Sequence, residues 1–506
     1  MAGVLRGYGK YVLVAFFILA IFTASRLINL TGLPIFTDEA IYIRWSQIGA
    51  RDANWRFISL TDGKQPMFTW IAMVLLRILP KWDPLFVGRL VSVFAGFGSI
   101  VGIGILSYIL LKNKCMALFA CLLYVISPFT LLYDRMALYD SLVATFSIWN
   151  LILAILLIRK IRLDVALLLG LMLGMGMLNK TSGFLSLYLL PLTLILFEWK
   201  NPHWKKQLLY WVGYVVLAAV ISQILYSVLR LSPLLHTIIE KDALFVYPIG
   251  EWITHPFRFL EGNLRGMFDW AWRYLSIPLF IAALYAVITK NITRERILLF
   301  LWSVLPFFLL AMFGKVLYPR YILFMIMPLF ILAATSADWI VSKVKSPLIV
   351  IFLLALLCIP SAYASIQLLI DPARAPIPGA DTGQYINDWS AGGGVKEVTV
   401  YLTKKSEHEK IAIYTEGTFG LLPYAIELYL VDHPNVKLKG IWPLPLDPPQ
   451  EVLNDALQIP TFLILNQTQI APPGWPLELI NEYQKGINSD RHLRFFRVIP
   501  RLALHV

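Results

Sequence analysis

Residues 10–40 have the sequence KYVLVAFFILAIFTASRLINLTGLPIFTDEA, in which a long apolar run leads to a pair of adjacent carboxylates. An apolar run of about 20 residues is long enough to cross the hydrocarbon core of a bilayer as one helix. Basic residues precede the run and no small-residue cleavage site follows it, so we predict an uncleaved first transmembrane helix. Asp38 and Glu39 are then expected on the opposite side of the membrane from Lys10.

The rest of the chain repeats this pattern and has the composition of a membrane protein. Of its 506 residues, 58% are hydrophobic and only 15% are charged, whereas soluble domains are about 45–50% apolar and about 25% charged. These runs predict an α-helical polytopic membrane protein with about 11 transmembrane helices. The expected spans lie near residues 11–30, 86–111, 115–133, 141–158, 163–178, 182–198, 207–229, 271–289, 297–313, 321–341 and 347–370.

The charges between the apolar runs predict the orientation. Cytoplasmic loops of membrane proteins carry an excess of lysine and arginine. Short basic loops occur at Arg6/Lys10, Lys112/Lys114, Arg159/Lys160/Arg162, Lys200/Lys205/Lys206, Lys290/Arg294/Arg296 and Lys343/Lys345. We therefore expect the N-terminus inside, the C-terminus outside, and a location in the inner (plasma) membrane. The same loops account for the net charge of +13, so a nucleic-acid partner is not expected.

Two features of the sequence predict how the outer side is organised. The apolar stretch 67–79 is short for a span, which favours an interfacial or re-entrant helix within a first outer loop over 31–85. A second outer loop is expected at 230–270. After a transmembrane domain over 1–370, proline and glycine cluster in DPARAPIPGADTG, and residues 371–506 are predicted to form a small extracytoplasmic α/β domain. Its expected strands are 410–414, 461–466 and 493–498, with a helix over 395–405.

Three carboxylates on this side are candidate functional residues. Asp38 and Glu39 near a membrane surface are costly unless solvated or paired, which favours a functional site. A helix cap by Thr37 or Asp38, with Glu39 in the first turn, explains them equally well. Asp140 follows Asp134 and Arg135 in LLYDRMALYDSLVATF. Three charges between two apolar spans are more than a membrane-surface anchor requires, although Asp140 could also simply cap the helix that follows.

Basic and aromatic residues on the same side are candidates for binding an anion. Lys64, in DGKQPMFTW, can hold a phosphate as a compact point charge, or it can extend its ammonium to any lipid headgroup. Tyr318 and Arg320 open a span, where aromatic and basic residues are common in any case. Asn179 and Lys180 form a polar break between two spans that are too close for a real loop.

The sequence gives little indication of a cofactor. His236 and His255 are weak candidates for a metal site, because their spacing fits no known site well. A divalent cation is left open, and no other cofactor is expected. Neither GxxxxGK[ST] nor GxGxxG after a strand occurs, which argues against a nucleotide-driven pump.

Five segments in this order resemble the polyprenyl-phosphate-sugar glycosyltransferases of the GT-C class. The similarity is to prokaryotic relatives of the dolichyl-phosphate-mannose protein mannosyltransferases and of the lipid A aminoarabinose transferase. It covers about residues 10–345, with Gln65 and Ser182–Gly183 as departures from the family pattern. The matching segments are FTDEA (36–40), GKQPMFTW (63–70), RMALYDSLVATF (135–146), LNKTSG (178–183) and YPRYILFMIMPLF (318–330).

The resemblance implies a GT-C-like fold and a role for each of these residues. Asp38 would be the catalytic base with Glu39 as its companion, and Asp140 would support the donor or acceptor pocket. The lipid phosphate would face Lys64 and Arg320, with Arg135, Lys180 and Tyr318 as further candidates. The enzyme would move a mannose-like sugar from a polyprenyl-phosphate donor in the membrane to a hydroxyl of a protein, lipid or glycan acceptor.

Two other classes of protein remain as alternatives. A secondary transporter or lipid flippase would keep polar groups near the bilayer midplane, often in inverted repeats, whereas the charges here gather at one surface. A non-catalytic scaffold that presents the outer domain leaves the first-loop carboxylates unexplained.

Overall fold

The computed structural model describes residues 2–290, 292–487 and 489–499. The side chains of residues 1–8 lie outside this description, and with them Arg6 of the first basic segment. The chain divides into two compact units. The first consists of Met1–Ile28, Arg56–Ile71 and Leu90–Pro378, and the second of Asn29–Trp55, Ala72–Arg89 and the chain from Gly379 onward.

Helices make up most of the chain. In order they are α1 (Ala2–Leu27), α2 (Thr37–Arg51), α3 (Met67–Ile78), α4 (Pro84–Leu111), α5 (Lys114–Ile126), α6 (Pro128–Asp134), α7 (Asp140–Lys160), α8 (Leu163–Asn179), α9 (Phe184–Tyr188), α10 (Trp204–Tyr226), α11 (Thr237–Phe245), α12 (Ile249–Thr254), α13 (Leu260–Leu275), α14 (Ile277–Ile288), α15 (Arg294–Phe313), α16 (Leu323–Lys343), α17 (Pro347–Ile370), α18 (Gly379–Thr382), α19 (Val395–Ser406), α20 (Leu421–Leu430) and α21 (Gln450–Gln458). Short 3-10 turns at Ile58–Asp62, Thr181–Gly183, Leu190–Leu196 and Pro319–Ile322 connect several of them.

Seven stretches of the described residues are long and apolar enough to cross a membrane, and up to nine if each of two bent helix pairs is one span. The bent pairs are α5 with α6 and α13 with α14. Shorter apolar helices cover Leu163–Asn179 and Thr181–Leu196, at two further predicted spans. The expectation of a polytopic helical protein is confirmed. The helix over Met67–Ile78 is short, as the sequence predicted.

The pair α13 and α14 differs from the single span predicted over 271–289. The two helices meet at an angle of 106°. Ser276 lies between them in the left-handed region, with φ +67°, and Pro278 follows in the first turn of α14. α13 is amphipathic and carries charged residues, whereas α14 is apolar. The span predicted from the sequence joined the end of α13 to α14.

A buried ion pair links α1 to the bent pair α5–α6 in the first unit. Arg26 is fully buried, and its Nε lies 3.3 Å from Asp134 Oδ2. The Arg26 guanidinium also donates to Val125 O at 2.7 Å and to Thr130 Oγ1 at 3.1 Å. The phenol of Tyr124 donates to the Asp134 carboxylate. Every charge here has a partner, which an apolar environment requires.

The second unit contains a five-stranded mixed sheet. Its strands are β1 (Ile411–Glu416), β2 (Val436–Ile441), β3 (Thr461–Leu465), β4 (Leu477–Gln484) and β5 (His492–Val498), in the order β2-β1-β3-β5-β4. β1 is parallel to β2 and β3, whereas β5 is antiparallel to β3 and β4. The predicted small C-terminal sheet is confirmed. The sequence missed β2 and β4, the two edge strands.

We expect Asp134→Asn to destabilise the protein strongly, because it leaves the Arg26 guanidinium buried without its counter-charge. Breaking a buried ion pair costs about 3–5 kcal/mol. The measurement is the melting temperature of purified protein in detergent. Asp164→Asn is the control, since Asp164 pairs with Arg162 at the surface and its loss should leave the melting temperature unchanged. Equal effects of both substitutions would contradict this account.

Candidate active site

Asp140, Lys180 and Arg320 form one charged cluster in the first unit. Lys180 Nζ donates to Asp140 Oδ1 at 2.7 Å, and Arg320 Nε lies 4.0 Å from Asp140 Oδ2. Asp140 and Arg320 are buried, while Lys180 keeps 28% of its side chain exposed. Two cations thus share one carboxylate, and the cluster has an excess of positive charge.

Helix ends place the members of this cluster. Asp140 is the first residue of α7, where the helix dipole favours a negative charge. Lys180 follows the last residue of α8, where a positive charge is favoured. Asn179 donates to Tyr139 O at 3.0 Å and ties the two ends together. A Cβ at Gly183 would come within 2.2 Å of Gly176 O, so only glycine allows the chain to turn this tightly after Lys180.

Two tyrosines complete one side of the cluster. The Lys180 ammonium lies 4.4 Å from the ring centre of Tyr321, and the Arg320 guanidinium 4.9 Å from that of Tyr318. The two rings meet edge to face at 5.7 Å. Cations over aromatic faces are held electrostatically, so the rings orient both basic groups.

Lys64 belongs to a neighbouring polar group that reaches this cluster through Thr181. Gly63 has φ +65°, and a Cβ there would lie 2.5 Å from Thr237 O, so the turn before Lys64 requires glycine. The Lys64 ammonium lies 5.5 Å from the ring centre of Phe245. Gln65 donates to Thr181 Oγ1 at 2.7 Å. Thr181 directly follows Lys180 in the chain.

Asp242, on α11, is a member of this group that the sequence did not single out. Thr181 donates to Asp242 Oδ2 at 2.9 Å. Burial raises the pKa of Asp242, while the hydrogen bond from Thr181 and the charges of Lys64 and Lys180 oppose the rise. Nothing in the sequence around Asp242 distinguishes it from the other acids of the 230–270 loop, because its partners come from distant segments.

The remaining candidates of the first unit are placed differently. Arg135 Nη1 donates to the carbonyls of Ser25, Arg26 and Ile28 at 2.7–3.1 Å. These bonds tie the residue to the end of α1 and favour a structural role. His236 Nδ1 lies 3.1 Å from Pro233 O, and His255 follows α12. Across the ranges that the structure describes, no three His, Cys, Asp or Glu side chains group as metal ligands.

Asp38 and Glu39 lie in the second unit, in the first turn of α2. Glu39 is fully buried in an ion pair with Arg89, whose Nη2 lies 2.7 Å from Glu39 Oε2. Glu39 also accepts from Phe36 N at 3.0 Å. Its place in the first turn agrees with the second interpretation of the sequence, but the N-cap residue is Phe36, and the cap expected from Thr37 or Asp38 is wrong because both residues lie inside the helix. Asp38 is partly exposed. The adjacent carboxylates therefore have different surroundings.

Comparison with known proteins agrees with the resemblance drawn from the motifs. The family model for dolichyl-phosphate-mannose-protein mannosyltransferases matches residues 63–226. No curated protein sequence matches the chain. Among solved structures, ArnT from Cupriavidus metallidurans bound to undecaprenyl phosphate is similar, with a TM-score of 0.58, 13% identity, and 97% of this chain and 98% of that chain covered. The apo form of the same protein gives a TM-score of 0.56 and 14% identity over the same shares.

These similarities confirm that the chain resembles the mannosyltransferase family and has an ArnT-like fold. The matched range contains Lys64, Asp140 and Lys180, but neither Asp38 nor Arg320.

We expect Asp242→Asn to leave the protein at least as stable as the wild type at pH 7. A raised pKa means that the folded chain holds a proton more tightly than the unfolded chain. Stability therefore falls as the pH rises from the ordinary pKa of an aspartate to the raised pKa of Asp242. The amide oxygen of the variant still accepts the hydrogen bond from Thr181, and the amide does not titrate, so this dependence of stability on pH is lost. Melting temperatures across pH 4–8 test it: the advantage of the variant should shrink as the pH falls. Glu240→Gln, an exposed change on the same helix, serves as the control.

Proposed function

We propose that this protein is a membrane glycosyltransferase that moves a sugar from a polyprenyl-phosphate donor to an acceptor hydroxyl. One observation carries the proposal. Lys64, Lys180 and Arg320 gather with the carboxylates of Asp140 and Asp242, within a fold shared with a protein that was crystallised with undecaprenyl phosphate. Ammonium and guanidinium groups suit a phosphate, because both donate charge-assisted hydrogen bonds to its oxygens.

The cations stabilise the leaving group. As the bond from the anomeric carbon to the phosphate oxygen breaks, the lipid phosphate departs as a stable anion and needs no general acid. Lys64 and Arg320 bind its oxygens, and Arg320 is oriented for this by Asp140 and Tyr318. Fixed cations of this kind lower the barrier, because they are in place before the charge develops.

Asp140 has a positioning role in this scheme, whereas Lys180 contacts the phosphate. The Asp140 carboxylate neutralises part of the charge of Lys180 and Arg320, which keeps two cations side by side before a phosphate arrives. A bound phosphate then interacts with the cationic excess. Lys180 retains exposed surface and is a third phosphate ligand.

Asp38 is proposed as the base that removes the proton from the acceptor hydroxyl. It is the partly exposed member of the carboxylate pair, whereas Glu39 is engaged by Arg89 and fixes the turn that carries Asp38. Attack by the hydroxyl oxygen from the face opposite the phosphate inverts the anomeric centre. A mannose-like donor, a protein, lipid or glycan acceptor, and an extracytoplasmic active site complete the proposal.

Asp38→Asn should abolish sugar transfer while leaving donor binding intact, since the amide keeps the shape of the side chain but cannot accept the proton. The measurement uses purified protein, a radiolabelled polyprenyl-phosphate mannose and total membrane extract as acceptor. Removal of a general base slows reactions by roughly 100- to 10,000-fold. Asp52→Asn, an exposed change just after α2, is the control. Turnover near the wild-type rate in Asp38→Asn would remove Asp38 from this role.

Lys64→Ala should chiefly weaken donor binding. A charge-assisted hydrogen bond contributes about 1.5–3 kcal/mol, so the apparent Kd for polyprenyl phosphate should rise by roughly 10- to 100-fold. Lys81→Ala, an exposed lysine after the short helix α3, is the matched control. An unchanged Kd would count against the phosphate role. Movement of lipid across vesicle bilayers without sugar release would instead favour the flippase alternative.

A further inference from the structure

The turn 388–392, in the C-terminal part of the second unit, is hydrogen-bonded to the segment that leads to Asp38. Thr37 N and Thr37 Oγ1 both donate to Ser390 O, at 3.0 and 2.9 Å. In return, Gly392 N donates to Ile35 O at 2.7 Å. A Cβ at Gly392 would lie 2.5 Å from Ile35 O, so a side chain there would force the two strands of backbone apart. The position of the first turn of α2 therefore depends on the shape of this turn.

The ammonium of Lys485 fixes that shape. Lys485 follows β4 and is fully buried. Its Nζ donates to the carbonyl oxygens of Ala391 at 2.6 Å, of Trp389 at 3.1 Å and of Asp388 at 3.5 Å. It also donates to Asn466 Oδ1. Three of its acceptors thus belong to the one turn 388–392, which the single ammonium draws together.

This arrangement is costly for the stability of the fold. All four acceptors are neutral oxygens, and a buried charge without a bonded counter-ion loses several kcal/mol of solvation. An apolar residue of similar length would avoid that cost but would take this donor away from all four oxygens. The ammonium is nevertheless suited to gathering carbonyl oxygens, because its three protons and its charge attract several of them at once. The ammonium therefore ties the backbone of the turn to the end of β4.

The sheet supplies the fixed end of this network. Asn466 follows β3, and its Nδ2 donates to Trp389 O at 2.8 Å. Asn466 N donates to the carboxylate of Glu416, at the end of β1, at 2.8 Å. The amide of Thr468 donates to the same carboxylate at 3.0 Å. The central strands therefore hold Asn466, and Asn466 and Lys485 hold the turn.

We propose that Lys485 is a positioning residue for catalysis, which sets the geometry of Asp38 through the turn 388–392 and the backbone of residues 35–37. This inference rests on the proposed role of Asp38 as base. It assigns the C-terminal domain a part in the reaction. Misplacement of a catalytic group by about 1 Å can lower the rate by about 100-fold.

The test compares Lys485→Met with Lys404→Met in the full-length protein. Methionine keeps the length of the side chain and removes the charge, and Lys404 is an exposed lysine on α19 of the same unit. We expect Lys485→Met to lower kcat by about 10- to 100-fold, with the Kd for polyprenyl phosphate unchanged. Lys404→Met should behave as the wild type.

A second measurement reports the structure directly. Amide hydrogen exchange should accelerate in Lys485→Met in the peptide that contains Thr37 and in the peptide that contains Gly392. Exchange in the central strands β1 and β3 should stay slow. Faster exchange throughout the sheet would mean that Lys485 only stabilises the domain, and the proposal would be overturned.

The outcomes separate this inference from the proposed function. If Asp38→Asn abolishes transfer but Lys485→Met retains the wild-type kcat, only the positioning role is refuted. If Asp38→Asn remains active, the assignment of the base fails, and with it the reason for linking Lys485 to catalysis. A fall in kcat together with local loosening around Thr37 supports both.

Discussion

The low polarity of the protein interior is the constraint on which the first unit depends. A buried charge must be paired, because packed apolar side chains offer it no solvation. Arg26 and Asp134 meet this requirement with each other and with the hydrogen bonds of Tyr124 and Thr130. Their pairing connects α1 to the bent helix pair that precedes α7.

The same constraint explains why the candidate site forms where helices end. Asp140 and Lys180 occupy helix ends whose dipoles favour their charges, and they pair with each other. The break after α8 then serves two groups at once, because Lys180 bonds to Asp140 and the adjacent Thr181 bonds to Asp242. A cationic excess held by aromatic rings and carboxylates is suited to an anion that leaves as a lipid phosphate.

Buried charges of the second unit have two kinds of partner, an opposite charge or neutral oxygens. Glu39 and Arg89 neutralise each other, and Arg89 also binds the carbonyls of Leu30 and Leu33 in the segment before α2. Lys485 has only neutral oxygens as bonded partners and shapes a turn of the C-terminal domain. Arg89 contacts the segment before α2 directly, whereas Lys485 contacts a turn that is hydrogen-bonded to residues 35–37. Much of the first loop, within Asn29–Trp55 and Ala72–Arg89, belongs to the same compact unit as the chain from Gly379 onward, whereas Arg56–Ile71 belongs to the first unit.

The sequence by itself determined the helical membrane class and the position of most apolar helices, because apolar runs are a local property. Its short motifs also named Asp140, Lys180 and Arg320, which the structure brings together. It also predicted the C-terminal sheet from its buried central strands. The edge strands β2 and β4 were not predicted. Exposed edge strands carry charged residues that oppose aggregation, and these residues interrupt the apolar runs by which strands are recognised. Only the tertiary structure decided the partners of Arg26, Glu39, Asp242 and Lys485. The partners of each residue come from distant segments of the chain. The local sequence cannot indicate which distant charge or carbonyl will pair with a buried group.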